Sequence, residues 1–217
     1  MSSIARLAPI APIAPIALLV FAGCSDVEEE HDHIHEHGQP TTVILNFTPD
    51  GGGDTLSFTW ADPDNAGDPQ VDSILLPDGS DHNHHDVQAY SLEVEVWNEL
   101  EDPAEDVTPE IEELADEHQF FFTGSAVSGP ATGTNASAII EHRYADSDEG
   151  GMPIGLVNDI TTTAWGAGQL VVTLRHMPPE NGEAVKIPGL ARDVASDGFG
   201  AIGGDNDIRV TFPIEVQ

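Results

Sequence analysis

The chain has 217 residues, and its 39 acidic side chains against 6 Lys and Arg give a formal net charge of −33 at pH 7. A charge of this sign and size repels DNA, RNA and anionic lipid headgroups and concentrates cations, so nucleic acid is excluded as a partner. Apolar residues make up 39% of the chain before its 21 glycines are counted, and with glycine they reach roughly half, as in folded proteins.

The N-terminus has the layout of a secretory signal peptide. Arg6 precedes a long uncharged apolar run, and small residues stand directly before Cys24, the only cysteine in the chain. A transmembrane helix is the alternative interpretation. It is disfavoured because the run is short and because Pro9, Pro12 and Pro15 each remove a backbone donor.

Residues 21–24 (FAGC) resemble the lipobox of bacterial lipoproteins. The resemblance implies that Cys24 is lipidated and becomes the new N-terminus, and Ser25 after it implies an anchor in the outer membrane. Whether the protein lies on the periplasmic or the cell-surface face is left open. We therefore predict a signal peptide (1–23), an acidic, His-rich tether (24–40) and one domain (41–217).

The tether carries four histidines that are each separated by one residue, namely His31, His33, His35 and His37. In an extended chain this alternation places all four imidazoles on one side. Imidazole is a good ligand for zinc, copper and nickel. We expect these side chains to capture zinc or copper, with a polar linker that binds nothing as the alternative.

After residue 40, apolar and polar side chains alternate in short runs bounded by Gly, Pro, Asn and Asp. This pattern predicts strands at 41–48, 55–60, 71–76, 88–97, 118–123, 136–144, 157–164, 169–176 and 207–216. Strands with one polar face favour an all-β, antiparallel β-sandwich, immunoglobulin-like or jelly-roll-like. The first two strands are predicted to form a hairpin.

One short helix is predicted between the strands. Thr108 is a suitable N-cap, and Pro109 suits the first helical position. The inner face of this helix would contain Ile111, Leu114 and Ala115, spaced i, i+3, i+4.

A second histidine cluster lies in a predicted loop, where His82, His84 and His85 stand between Asp81 and Asp86. Three imidazoles and two carboxylates within six residues predict a metal site, especially if the tether folds back to complete it. A solvated loop is the alternative.

Three further histidines, His118, His142 and His176, lie in or beside predicted strands. Single histidines in such places often have a structural role. His118 and His176 are the better candidate ligands, because both stand where an apolar stripe meets a loop. Glu117 and Glu141 precede two of these histidines and are expected to point to the opposite strand face, away from the same ion.

Two Asp-rich loops resemble calcium-binding loops. The candidate ligands are Asp62, Asp64 and Asp68 in the first, and Asp146 and Asp148 in the second. Asx-turns explain the same residues and are the alternative. The chain also lacks His-Glu-x-x-His, a Walker loop and a Gly-x-Ser-x-Gly elbow, so we expect no enzyme.

Three segments, 117–122 (EHQFFF), 174–178 (LRHMP) and 204–212 (GDNDIRVTF), occur in this order. With them the chain resembles a small family of exported, acidic, His-rich bacterial lipoproteins, often labelled after the type 1 periplasmic binding fold. The resemblance covers about four-fifths of the chain. It implies an envelope protein linked to metal handling, and no catalytic residue is carried over.

These observations lead to one functional hypothesis and one alternative. The protein is expected to be an outer-membrane lipoprotein that binds zinc or copper through its histidines and delivers it to a TonB-dependent-type receptor or importer. The alternative is a structural or adhesive surface module that calcium stabilises.

Overall fold

The computed structural model describes residues 39–78 and 87–217. The strands in this part of the chain are β1 (Thr42–Pro49), β2 (Leu56–Ala61), β3 (Gln70–Val71), β4 (Ile74–Leu76), β5 (Ala89–Asn98), β6 (Glu105–Asp106), β7 (His118–Thr123), β8 (Val127–Ser128), β9 (Ile140–Tyr144), β10 (Val157–Thr162), β11 (Gly166–His176) and β12 (Asp205–Val216). The helices are α1 (Thr108–Glu113), α2 (Leu190–Asp197) and a 3-10 turn (Phe199–Ala201).

The described strands form two sheets. The larger has the order β3-β2-β1-β5-β10-β9-β8, with β6 paired to β5, and the smaller has the order β4-β12-β11-β7. Most neighbours are antiparallel, but β4 pairs with β12, and β8 with β9, in parallel. The predicted all-β, sandwich-like fold with a short helix is confirmed, and the two parallel pairings are the departure from a purely antiparallel arrangement. Among the described residues no helix is long and apolar enough to span a membrane.

The inward-facing side chains of both sheets share one apolar core. Leu92, Val94 and Val96 contribute from the larger sheet, and Phe120 and Phe122 contribute from the smaller. Every one of these side chains is buried. Because burying a Val, Leu or Phe side chain contributes about 1.5–3 kcal/mol, this two-residue alternation is the main source of the fold's stability.

Several predicted boundaries differ from the observed ones. The predicted strand 71–76 is divided between the two sheets, because the chain crosses from β3 to β4 within it. The predicted strand at 136 begins only at Ile140. Asn135 explains the delay, since its side chain accepts a hydrogen bond from the Ser137 backbone and donates to the Ser125 carbonyl, which holds this segment in a turn.

Thr108 does not cap α1 as predicted. It is the first helical residue, Val107 precedes it at the N-cap, and no side chain caps the helix. The Thr108 hydroxyl instead accepts a hydrogen bond from the Val96 backbone N–H at 2.9 Å. A tertiary contact with β5 therefore takes the oxygen that would otherwise cap the helix.

A long excursion, residues 177–204, joins β11 to β12 and contains α2, which was not predicted. Its apolar side chains pack against Phe121 in a second buried cluster that includes Met177, Leu190, Val194 and Ile202. The run Phe120-Phe121-Phe122 is thus buried on both faces of the strand.

Candidate metal centre

His118 and His176 lie opposite each other at one end of the smaller sheet, because the antiparallel register of β7 and β11 pairs them directly. Their imidazole rings are stacked, with centroids 4.6 Å apart and planes inclined by 7°. His118 is buried, and His176 retains 20% of its side-chain exposure. The structure thus brings together the two histidines that the sequence singled out as the better pair.

Asp207 joins them through an irregularity in β12. Leu174 pairs with Ile208 and Arg175 pairs with Asn206, so Asp207 is the extra residue of a β-bulge. Bulges turn side chains away from the regular alternation. One oxygen of Asp207 lies 3.8 Å from Nε2 of His118. Regular alternation with the buried Ile208 would have turned Asp207 outward.

Glu117 lies beside His176, contrary to expectation, although it is not one of the three residues whose ligand atoms converge. Its carboxylate oxygen Oε2 lies 3.4 Å from Nε2 of His176. The expectation was wrong because Glu117 precedes the first residue of β7, so strand alternation does not set its direction. Its carbonyl accepts a hydrogen bond from the Met177 backbone at 2.7 Å, which fixes it beside His176.

The tautomer of His118 follows from its second contact. Nδ1 lies 2.9 Å from the Leu114 carbonyl oxygen, which can only accept, so Nδ1 carries the hydrogen and donates it. In the neutral ring, Nε2 then carries the lone pair and faces the Asp207 carboxylate. A backbone carbonyl that holds the outer nitrogen of a histidine is the usual support of a metal-binding imidazole.

The donor set is compact enough for one ion. One ligand atom each from His118, His176 and Asp207 lies within 4.8 Å of the other two. Zinc bonds of about 2.0–2.1 Å in tetrahedral geometry hold donor atoms about 3.3 Å apart, so binding requires the side chains to close by on the order of 1 Å. The stacked rings must also turn out of their parallel planes, so that both Nε2 lone pairs point at the ion. Two imidazoles with carboxylate oxygens suit zinc and other divalent transition metals.

His142 is placed differently from the other two histidines. It is buried beside Phe122 and Tyr144, and its Nε2 donates to the side-chain oxygen of Asn158 at 3.0 Å. Burial lowers the pKa of His142 to about 4. These contacts favour the structural role that the sequence had left open for it.

The first Asp-rich loop has the contacts of a turn. Asp62 accepts the backbone N–H groups of Ala66 and Gly67, and Asp64 also accepts the N–H of Ala66. Asp68 is exposed. These hydrogen bonds favour the Asx-turn interpretation over calcium binding.

The second loop uses its carboxylates internally as well. Asp146 accepts the backbone N–H groups of Gly155 and Val157 at 2.7 and 2.8 Å. Asp148 pairs with the ammonium group of Lys186 at 2.7 Å. A fixed cation of the protein thus lies against Asp148, and the sequence reasoning had missed this lysine.

One motif was missed in the sequence, because residues 198–203 (GFGAIG) fit the spacing Gly-x-Gly-x-x-Gly. In a dinucleotide-binding fold this motif follows a strand and opens a helix. Here it follows α2 and forms the 3-10 turn. The segment therefore lacks the strand-to-helix context that such a site requires.

The remaining predicted ligands lie outside the described residues. They are the lipidation site Cys24 and the seven histidines predicted to bind metal, His31, His33, His35, His37, His82, His84 and His85.

Comparison of the chain with protein-family models, curated proteins and solved structures finds no match. The function is therefore inferred from the residues of the site.

Proposed function

We propose that this protein binds a divalent transition metal, with zinc as the first candidate and copper as the second, at a site formed by His118, His176 and Asp207. The observation that carries the proposal is the convergence of their ligand atoms within 4.8 Å at the end of the smaller sheet. Residues from three different strands meet there, so the tertiary structure brings the three side chains together.

The orientation of His118 supports metal binding over a purely structural contact. Its Nδ1–H donates to the Leu114 carbonyl, which directs the Nε2 lone pair toward Asp207. A lone pair and a carboxylate that face each other attract a cation between them. Glu117 adds a second carboxylate, 3.4 Å from Nε2 of His176.

The charge of the whole protein supports the same proposal. A net charge of −33 raises the local concentration of cations. The numerous carboxylates act as a diffuse field, while the few histidines provide the ligands that discriminate transition metals from Ca²⁺ and Mg²⁺. Under this proposal the His-rich segments around residues 31–37 and 82–85 collect metal that is then held at the folded site.

The cellular setting is part of the proposal. The lipobox-like sequence before Cys24 supports an anchor in the outer membrane. A lipid-anchored protein that holds metal loosely in one segment and firmly in another is suited to pass the ion to a receptor or importer in the same membrane.

The test is a zinc titration, monitored by calorimetry, of a variant in which the seven histidines at 31, 33, 35, 37, 82, 84 and 85 are replaced by Asn. This variant keeps His118, His176 and Asp207, and we expect it to bind one zinc ion. The matched control carries the additional changes His118→Asn and His176→Asn, and it should lose this binding. Equal zinc binding by the two proteins, or none by either, would contradict a site at these residues.

A further inference from the structure

Lys186 is the only lysine in the 217-residue chain, and its side chain is fully buried. In a protein with 39 acidic residues a lysine is expected at the surface, where its charge is solvated. The Lys186 ammonium nitrogen instead lies 2.7 Å from Oδ2 of Asp148 and 2.6 Å from the carbonyl oxygen of Ala115. None of these three residues belongs to the proposed metal centre.

Asp148 is nearly as deeply buried as its partner, with 2% of its side chain exposed. Its two oxygens have different neighbours. Oδ2 contacts Lys186, whereas Oδ1 accepts the backbone N–H of Met152 at 2.8 Å. A backbone donor on Oδ1 polarises the carboxyl group and is placed to stabilise negative charge that develops on this oxygen when a nucleophile attacks Cγ.

Burial weakens the preference for the ionised forms of this pair. It lowers the pKa of Lys186, and Asp148 counteracts only part of that effect. Burial also raises the pKa of Asp148, but hydrogen bonds from Lys186 and Met152 outweigh it and leave that pKa low. The ion pair is thus the resting form, and one proton transfer along the 2.7 Å contact gives a neutral amine beside a carboxylic acid.

We propose that Lys186 and Asp148 join in an intramolecular amide bond. The ammonium group first passes one proton to Oδ2. The neutral amine nitrogen then attacks Cγ of Asp148, the new N–C bond forms, and the bond from Cγ to Oδ2 breaks. The nitrogen gives up a second proton to the departing oxygen, which leaves as water. No oxidant, reductant or other co-reactant enters the balance, because one ammonium and one carboxylate yield one amide and one water.

The surroundings provide a path for that water. A cavity of about 530 Å³ is lined by Ala115, Asp116, Asp148 and Gly150, among others. The Asp148 side chain therefore borders a space that opens to solvent, into which the departing water can pass. The amide group itself would be buried, because both side chains that form it are almost fully enclosed by the protein.

The bond would tie together two connections that are 38 residues apart in sequence. Asp148 lies between β9 and β10, and Lys186 lies in the excursion between β11 and β12. Such a cross-link acts as a disulfide does, by restricting the unfolded chain. It needs no second cysteine, and the chain has none.

The single lysine makes the test direct. The full chain, purified from the cell envelope, is unfolded and its mass is compared with that of the Lys186→Arg variant, which is processed identically but cannot form the amide. After correction for the substitution, we expect the wild-type protein to be lighter by one water molecule. We also expect an amine-specific reagent to leave Lys186 unlabelled in the unfolded chain.

Trypsin identifies the partner. An acylated Lys186 resists cleavage, so the expected product is peptide 144–175 joined to peptide 176–192, with the bond at Asp148. The variant Asp148→Ala should restore cleavage after Lys186. A wild-type protein of unchanged mass, with a labelled lysine and separate peptides 176–186 and 187–192, would overturn the proposal and leave the pair as an ion pair only.

Discussion

His118 and His176 stack face to face with ring centroids 4.6 Å apart, and each ring has a carboxylate beside its Nε2 atom. Two protonated imidazoles at this separation would repel each other, whereas two neutral ones can share a metal ion. The position of Asp207 and Glu117 at the Nε2 edges, rather than at the ring faces, is what makes the pair a candidate for metal binding.

The first prediction concerns Asp207. Replacing it with Asn should weaken zinc binding at least about tenfold, because a neutral amide oxygen is a poorer ligand than a carboxylate. Glu215→Gln is the matched control, since Glu215 is an exposed acid at the far end of the same strand and its replacement changes the net charge equally. Calorimetric titration of both variants decides between a ligand and a general charge effect, which would weaken binding in both alike.

A second prediction tests Glu117 as a further ligand. Cobalt(II) substitutes for zinc, and its visible absorption is intense in four-coordinate sites and weak in six-coordinate ones. We expect an intense spectrum for the wild-type protein and a changed one for Glu117→Gln. Glu113→Gln, at an exposed position on α1, should leave it unchanged. Identical spectra for all three proteins would remove Glu117 from the site.

The third prediction follows from the buried His142. Its pKa is lowered from 6.5 to about 4 by burial, so the unfolded chain takes up a proton near pH 6.5 while the folded protein does so only near pH 4. The stability that depends on neutral His142 is therefore fully present above pH 6.5, and it is lost progressively as the pH falls toward 4. The loss from this group is about 3 kcal/mol.

Chemical denaturation at several pH values measures this effect. His142→Gln keeps a group that can hydrogen-bond Asn158 but removes the titration. Its stability should fall less steeply than that of the wild-type protein between about pH 6.5 and pH 4. If the free energy of unfolding falls equally steeply with pH in the two proteins, the loss of stability does not come from His142.

The fourth prediction concerns Gly204, which precedes β12. It has φ +77°, and a Cβ atom there would lie 2.1 Å from the His176 carbonyl oxygen. Gly204→Ala should therefore destabilise the fold by about 2 kcal/mol or more and also weaken zinc binding. Gly198→Ala is the control, because Gly198 has the same φ but a Cβ added there would have no atom within 4 Å. It should cost about 1–3 kcal/mol from backbone strain alone, because φ +77° with ψ −179° is a conformation that only glycine adopts readily, and it should leave zinc binding intact.

The fifth prediction separates metal binding from the calcium alternative. A ligand that binds only the folded state at about 100 times its Kd adds about 2.7 kcal/mol, which raises the Tm by several degrees. We expect this shift with Zn²⁺ and none with Ca²⁺, because Asp62, Asp146 and Asp148 already accept hydrogen bonds within the protein. A shift with Ca²⁺ alone would favour the structural module.

The sequence by itself determined the sandwich, because alternation such as Tyr90, Leu92, Val94 requires a sheet with one buried face. It also singled out His118 and His176, since both end an apolar stripe. Asp207 and Glu117 needed the tertiary structure, because a bulge in one strand and the start of another decide where their carboxylates lie. The same is true of Lys186 and Asp148. They are 38 residues apart, so no local sequence pattern indicates that they are in contact. Only the packing of the folded chain shows that its single lysine is buried against an acid.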